Sequence, residues 1–177
     1  MELHTPRLVL REFQAGDFEA VYAYETRAET HRYEQNIVSA ASIRETLEQA
    51  QRWAHDNPRI YYRLAVTLCP TRQVIGHVSL ILNHPQISEW EIGWTIDPDY
   101  WRKGYATEAA RAVLDMAFRQ LQAHRVVAFC HVLNAASVAV MEKLGMQQEG
   151  RLRQVRCWNA GWSDEFVYAL LESDWRR

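Results

Sequence analysis

Apolar residues in this chain fall into two patterns: short runs that alternate with polar residues, and longer stretches where they recur every three or four positions. These are the periods of half-buried strands and amphipathic helices. Leu8 to Phe13 reads as a strand. Asp17 to about Arg27 reads as a helix, with Phe18, Val21 and Tyr22 on one face and Asp17 placed to cap it. Thr30 to Ser39 follows neither period and reads as loop. Ser42-Ile43-Arg44-Glu45 fits a capping box, and Ser39 could start the same helix a turn earlier. Ile43, Leu47, Ala50 and Ala54 supply its stripe, and Asn57-Pro58 ends it.

Three strand-like runs follow, Tyr61 to Leu68, Val74 to Leu82 and Glu89 to Ile96, separated by Cys69-Pro70-Thr71 and Asn83-His84-Pro85. The strongest helical stripe is Ala109, Ala110, Val113, Leu114, Ala117, Phe118 and Leu121, in a helix over about Thr107 to Leu121. Arg125 to His131 reads as a short strand, and Ser137 to Leu144 as a short helix ended by Gly145. Gln147 to Gln154 and Ser163 to Leu171 close the chain as strands, with a turn at Asn159-Ala160-Gly161. Hairpin-linked strands before a β-α-β crossover predict an α+β fold. Its sheet is expected to be mostly antiparallel, with a parallel pair near the middle and helices flanking it.

Length and charge narrow the function classes. At 177 residues the chain is expected to form one domain, residues 1–177, with a sizeable core. A net charge of −2 gives no global field for nucleic acid. No apolar run is long enough for a membrane span, and Met1-Glu2-Leu3-His4 lacks the basic and apolar regions of a signal peptide. A cytoplasmic location is therefore expected, with no membrane or direct nucleic-acid partner. Cys69, Cys130 and Cys157 cannot all pair and form no Cys-x-x-Cys, which suits a reducing compartment. The histidines form neither His-x-His nor His-Glu-x-x-His, so no metal is expected.

The segment from Ile96 to Glu108 holds the candidate chemistry. A strand enters it, a helix leaves it, and Arg102, Lys103, Gly104 and Ala106 lie between. The first N–H groups of a helix have no internal partner, and the macrodipole makes that end positive, so the turn reads as an anion site. Gly104 allows close backbone approach and Ala106 leaves it unobstructed. The same residues also suit a tight turn with solvated cations. The segment is neither a P-loop nor a dinucleotide fingerprint.

With its neighbours this segment resembles the GNAT superfamily of acetyl-CoA-dependent N-acetyltransferases, and within it the RimJ/RimL type that acetylates ribosomal-protein N-termini. The resemblance rests on Thr5-Pro6-Arg7-Leu8-Val9-Leu10-Arg11, Glu91-Ile92-Gly93-Trp94, Trp101 to Ala109, Asn134-x-x-Ser137, Glu142-Lys143-Leu144-Gly145-Met146 and Trp162 to Leu170, in that order. It departs from the wider superfamily at Trp101, where Gln or Arg is usual, and at Met141, where many members carry a general-acid tyrosine.

The resemblance implies acetyl-CoA as co-substrate, no metal, and direct attack of an amine through a tetrahedral intermediate. It assigns the pyrophosphate to Arg102, Lys103, Gly104, Tyr105, Ala106 and Thr107, and the pantetheine wall to Trp94, Thr95 and Ile96, on a strand of the parallel pair that splays from the next to leave a cleft. A backbone N–H near Trp94 would stabilise the oxyanion. Glu91 is the candidate base, or a carboxylate that only attracts a cationic amine. Ser137 is the candidate hydrogen-bond donor to the leaving sulfur, and Asn134 a holder of the pantetheine amide. Both also suit a helix cap.

Arg153 and Asp164 could line the acceptor pocket or form a cross-strand ion pair. Arg32, Tyr33 and Asn36 fall where this fold often shapes that pocket. His77 and His131 read as structural. The leading acceptor is a protein N-terminal α-amine, whose neutral form at pH 7 costs about 1 kcal/mol against roughly 4.6 kcal/mol for lysine. A small amine (polyamine, amino sugar or amino-acid derivative) is the alternative, and a non-enzymatic acetyl-CoA-binding module a third. Relatives also suggest a homodimer.

Overall fold

Period-two alternation through the middle of the chain produces the sheet on which everything else is arranged. The computed structural model describes residues 1–33, 38–158 and 161–175. The strands are β1 (Glu2–His4), β2 (Leu8–Glu12), β3 (Tyr61–Leu68), β4 (Val74–His84), β5 (Glu89–Ile96), β6 (Arg125–His131), β7 (Gln147–Trp158) and β8 (Gly161–Leu171). The helices are α1 (Phe18–Glu25), α2 (Ala40–Trp53), α3 (Tyr105–Arg119), α4 (Ala135–Lys143) and a terminal turn, α5 (Glu172–Trp175). Asn36 and the Asn159-Ala160 part of the last turn lie outside the described residues.

The strands pair in the order β1-β2-β3-β4-β5-β6-β8-β7. Among the described residues β5–β6 is the parallel pair, and the others are antiparallel. The α3 crossover makes the parallel step possible, since parallel neighbours cannot be joined by a hairpin.

Alternation sends successive residues of one strand to two different cores. Leu64 and Val66 join a cluster with Leu8, Ile92, Val113, Leu114 and Met141, under α3 and α4. Ala65 between them packs with Val21, Tyr24, Ile43 and Leu47, under α1 and α2. At Gly76 φ is +154°, and a Cβ there would stand 2.2 Å from the Thr95 carbonyl oxygen. Only glycine lets β4 approach β5 this closely at the strand end.

Several boundaries differ from the sequence expectation. The α2 cap is Ser39, which accepts the Ser42 N–H at 3.0 Å while Ser42 Oγ accepts the Ser39 N–H at 2.9 Å. The box therefore lies one turn before Ser42-x-x-Glu45. On α1 the buried tyrosine is Tyr24, at 1% exposure, and Tyr22 is 39% exposed. Among the described residues no helix is long and apolar enough to cross a membrane.

Candidate active site

The pairing of β5 with β6 begins at Glu89–Arg125 and stops at Glu91–Val127, although both strands continue. Beyond that point β5 stays paired to β4 as far as Ile96, and β6 to β8 as far as His131. The two strands therefore diverge within one sheet. The wedge between them opens into a cavity of about 1220 Å³, lined by Glu91 to Ile96, by the Arg102–Thr107 turn and by α4.

One end of the wedge is closed by the start of α3. The first intrahelical bond there is Glu108 N–H to Gly104 O, at 3.0 Å. The N–H groups of Tyr105, Ala106 and Thr107 therefore precede the helical ladder, at the positive end of the dipole. Gly104 has φ of +82° and Arg102 of +60°. Glycine adopts such angles freely, whereas Arg102 does so at a cost of order 1 kcal/mol or more.

A network outside the cleft holds this turn. Arg7 Nε donates to Glu108 Oε2 at 2.7 Å, and Arg7 Nη1 to the Lys103 carbonyl at 3.0 Å. The Thr5 hydroxyl donates to Glu108 Oε1 at 2.6 Å. Burial raises the Glu108 pKa, but the hydrogen bonds from Thr5 and Arg7 outweigh it, and the net position is below the usual carboxylate range. On the approach, Arg27 Nη1 reaches Asp97 Oδ1 at 3.2 Å and Asp99 Oδ1 at 2.8 Å.

Most of the residues expected from sequence meet at this wedge. Glu91, Trp94, Thr95, Ile96, Arg102, Gly104, Tyr105, Ala106, Thr107, Asn134 and Ser137 all line it. Lys103 does not, because its ammonium turns back to the Asp99 carbonyl at 2.9 Å. Glu91 Oε2 accepts from Asn83 Nδ2 at 2.8 Å. Asn134 caps α4, its Oδ1 accepting the Ser137 N–H at 3.1 Å. Ser137 and Val140 face the cavity, whereas Met141 is fully buried in the core. The helix thus turns the Met141 position away from the cleft altogether.

The β6–β8 side of the wedge carries charged groups that sequence reasoning passed over. Arg156 on β7 and Glu165 on β8 line it as an ion pair, and His131 stands opposite Glu165 in register. Burial raises the Glu165 pKa against the opposing pull of Arg156. Asp164, the neighbour proposed from sequence, pairs instead with Arg151 at 2.6 Å and accepts the Gln154 N–H at 2.8 Å, away from the cavity. Tyr33 stacks on His131 with ring centroids 5.3 Å apart.

At the end of α1, Glu25 contacts His31 Nε2 at 3.1 Å and, on β4, His77 Nδ1 at 3.5 Å. Burial drives His77 well below the ordinary imidazole range, so it is neutral near pH 7. Cys130 also borders the cavity, and burial pushes its pKa up to about 11, so it is a thiol and not a nucleophile.

A mostly antiparallel sheet with a splayed parallel pair, closed by a helix N-terminus, defines the GNAT class of acyltransferases. The chain belongs to that family: residues 7–147 match the acetyltransferase (GNAT) domain model. It is 34% identical to an uncharacterised N-acetyltransferase of Bacillus subtilis (strain 168), YnaD, over 99% of both chains. Among solved structures, a GNAT-family acetyltransferase from Bacillus anthracis is 30% identical, covers 98% of this chain and 99% of its own, and superposes with a TM-score of 0.86. The ribosomal α-N-protein acetyltransferase RimL, solved in complex with coenzyme A, shares the fold at 17% identity and a TM-score of 0.87, covering 98% of this chain and 99% of its own. The chain is accordingly an N-acetyltransferase of the GNAT type.

Proposed function

We propose that this enzyme transfers the acetyl group of acetyl-CoA to an α-amine, foremost a protein N-terminus, as in the RimJ/RimL branch it resembles. The observation that carries the donor side is the end of β5–β6 pairing at Glu91 and Val127. A wedge bounded by an open strand edge and ending at a helix N-terminus suits an extended arm with a pyrophosphate at its end. The turn fits that group: Gly104 brings backbone close, the N–H groups of Tyr105 to Thr107 are available, and Arg102 adds charge.

Acetyl-CoA, when bound, supplies an acetyl thioester. In this proposal the strand wall of Trp94, Thr95 and Ile96 orients it, and a backbone N–H near Trp94 faces the thioester oxygen. Glu91, held by Asn83, takes the proton from the amine as it attacks. The Ser137 hydroxyl hydrogen-bonds the departing sulfur. An α-amine suits a single modest base, because about a tenth or more of it is already neutral at pH 7.

A small-molecule amine is the second reading, favoured by the polar cluster of Glu25, Arg63 and His77 that walls the acceptor end. Thiol release from acetyl-CoA, measured against N-terminal peptides, polyamines, amino sugars and amino acids, tests both readings. Peptide turnover with the small amines silent supports the first, and the converse supports the second. A Glu91→Gln variant with unchanged kcat and pH profile removes Glu91 as the base.

A further inference from the structure

The face of the sheet beneath α1 and α2 carries a polar patch of which only Glu91 has a part in the transfer proposed above. Arg63 on β3, Ser79 on β4 and Gly93 on β5 stand opposite one another across three strands. One row along, Ala65, His77 and Thr95 are aligned, and on the other side Tyr61, Ile81 and Glu91. Directly opposed residues of antiparallel strands share a face, so Arg63, Ser79, His77 and Glu91 all point to the same side, and all line the cavity. Gly93 keeps the middle of the patch low, since a Cβ there would come within 3.1 Å of Ser79 Oγ.

Arg63 is out of balance with its surroundings. Its side chain is 20% exposed, its Nε is buried, and among the described residues no acceptor hydrogen-bonds it. The nearest carboxylate oxygen, Glu25 Oε1, is 3.9 Å from Nη2, and Glu25 is already engaged by His31 and His77. By contrast, Arg156 in the same cavity is closely paired with Glu165. A largely buried guanidinium with unused donors is costly unless something accepts from them. The planar fork matches a carboxylate or a phosphate. The nearby Glu25 and Glu91 carboxylates weigh against a doubly charged phosphate and allow a singly charged carboxylate.

We infer that Arg63, with Ser79 beside it, binds a carboxylate of the acceptor while the acceptor amine faces Glu91. Two strand spacings and a two-residue offset put the Arg63 and Glu91 Cα atoms roughly 12 Å apart. The side chains reaching inward from both ends leave room for an amine and a carboxylate within one small molecule or one short peptide segment. The inference rests on the acceptor half of the function proposed above and sharpens it: the enzyme reads an amine that carries an acid.

Matched acceptor pairs test this. Free α- and ω-amino acids are compared with their amides, and N-terminal peptides bearing an acidic second or third residue with their amidated counterparts. For the wild type, kcat/KM is expected to favour the acid at least tenfold. Arg63→Gln should remove that preference by raising KM for the acid, with kcat and the amide's KM little changed, and Arg63→Lys should restore part of it. Which series responds separates an amino-acid acceptor from an acidic peptide. Coenzyme A binding and melting temperature, unchanged in both variants, show that the fold and donor half are intact. Calorimetric titration of the same acids reads binding independently of transfer. If no amine turns over, the proposed transfer fails, while acid binding lost in Arg63→Gln still supports the Arg63 site. Equal handling of acid and amide by the wild type, no acid binding, or a proportionate loss of both in Arg63→Gln overturns it.

Discussion

Ser137 and Asn134 share one helix start yet divide its work. Asn134 Oδ1 takes the cap by accepting the Ser137 N–H, so the Ser137 hydroxyl is not needed for the helix and faces the cavity. Asn134→Ala should therefore cost about 1 kcal/mol of stability. Ser137→Ala should leave the melting temperature nearly unchanged and lower kcat about tenfold or more, the reduction expected when a charge-assisted hydrogen bond to a leaving group is lost. Thermal melts and steady-state rates on the two variants check the division.

Glu165 is a carboxyl whose ionisation the fold disfavours, since burial raises its pKa despite Arg156. A carboxyl whose folded pKa lies above its unfolded value stabilises the fold while protonated, below the unfolded pKa. It gives up that contribution as pH rises through the folded pKa. Glu165→Gln cannot titrate. The stability of the wild type relative to this variant should therefore fall from pH 4 toward pH 7, and denaturant melts at several pH values that show the opposite slope would refute the assignment.

At the scale of elements, the segment before β2 acts on the start of α3. Glu108 lies in the first turn of α3, where a carboxylate would repel a bound pyrophosphate. Arg7 pairs with that carboxylate, holds the Lys103 carbonyl and lies over the Tyr105 ring at 4.6 Å. Arg7→Gln should thus raise KM for acetyl-CoA by about tenfold while leaving acetyl-pantetheine, which has no pyrophosphate, unaffected. An equal penalty on both donors would mean that Arg7 serves only general folding.

This latch joins two motifs that stand far apart in the sequence, and nothing in either motif alone gives their contact. The strand and helix periods were enough to predict the sheet, its parallel pair and the turn at Gly104. The splay was implied by the family resemblance and not by these periods, because Ile92 to Ile96 has the same apolar pattern whether or not a neighbour pairs with it. The charged cavity wall at Glu165 was missed by a single residue. With a period of two, Asp164 points away and Glu165 points in, and only the register with His131 fixes which. The strand β1 is too short to carry a pattern. Arg63 looked like the polar half of an alternating strand, and its significance depends on which face α1 and α2 cover.

For the molecule as a whole, the two cores leave one part of the sheet without its own cohesion. Between β5 and β6 the strand edges beyond Glu91 and Val127 have no ladder, and the wedge runs from there to α3. A donor bound along β5 would therefore supply contacts along an edge that has no strand partner there. Two consequences follow. At a hundred times its Kd, coenzyme A should stabilise the fold by about 2.7 kcal/mol, which for a chain of this size raises the melting temperature by roughly 5–11 °C. Hydrogen exchange should slow in residues 92–96 and 105–107, and hardly change in β3, whose backbone is already paired on both sides. Protection spread evenly over the sheet would mean that the ligand tightens the domain globally, and protection absent from 105–107 would remove the pyrophosphate from the α3 terminus. The local pattern is expected because the splay that opens the site is also the break in the sheet's hydrogen bonding.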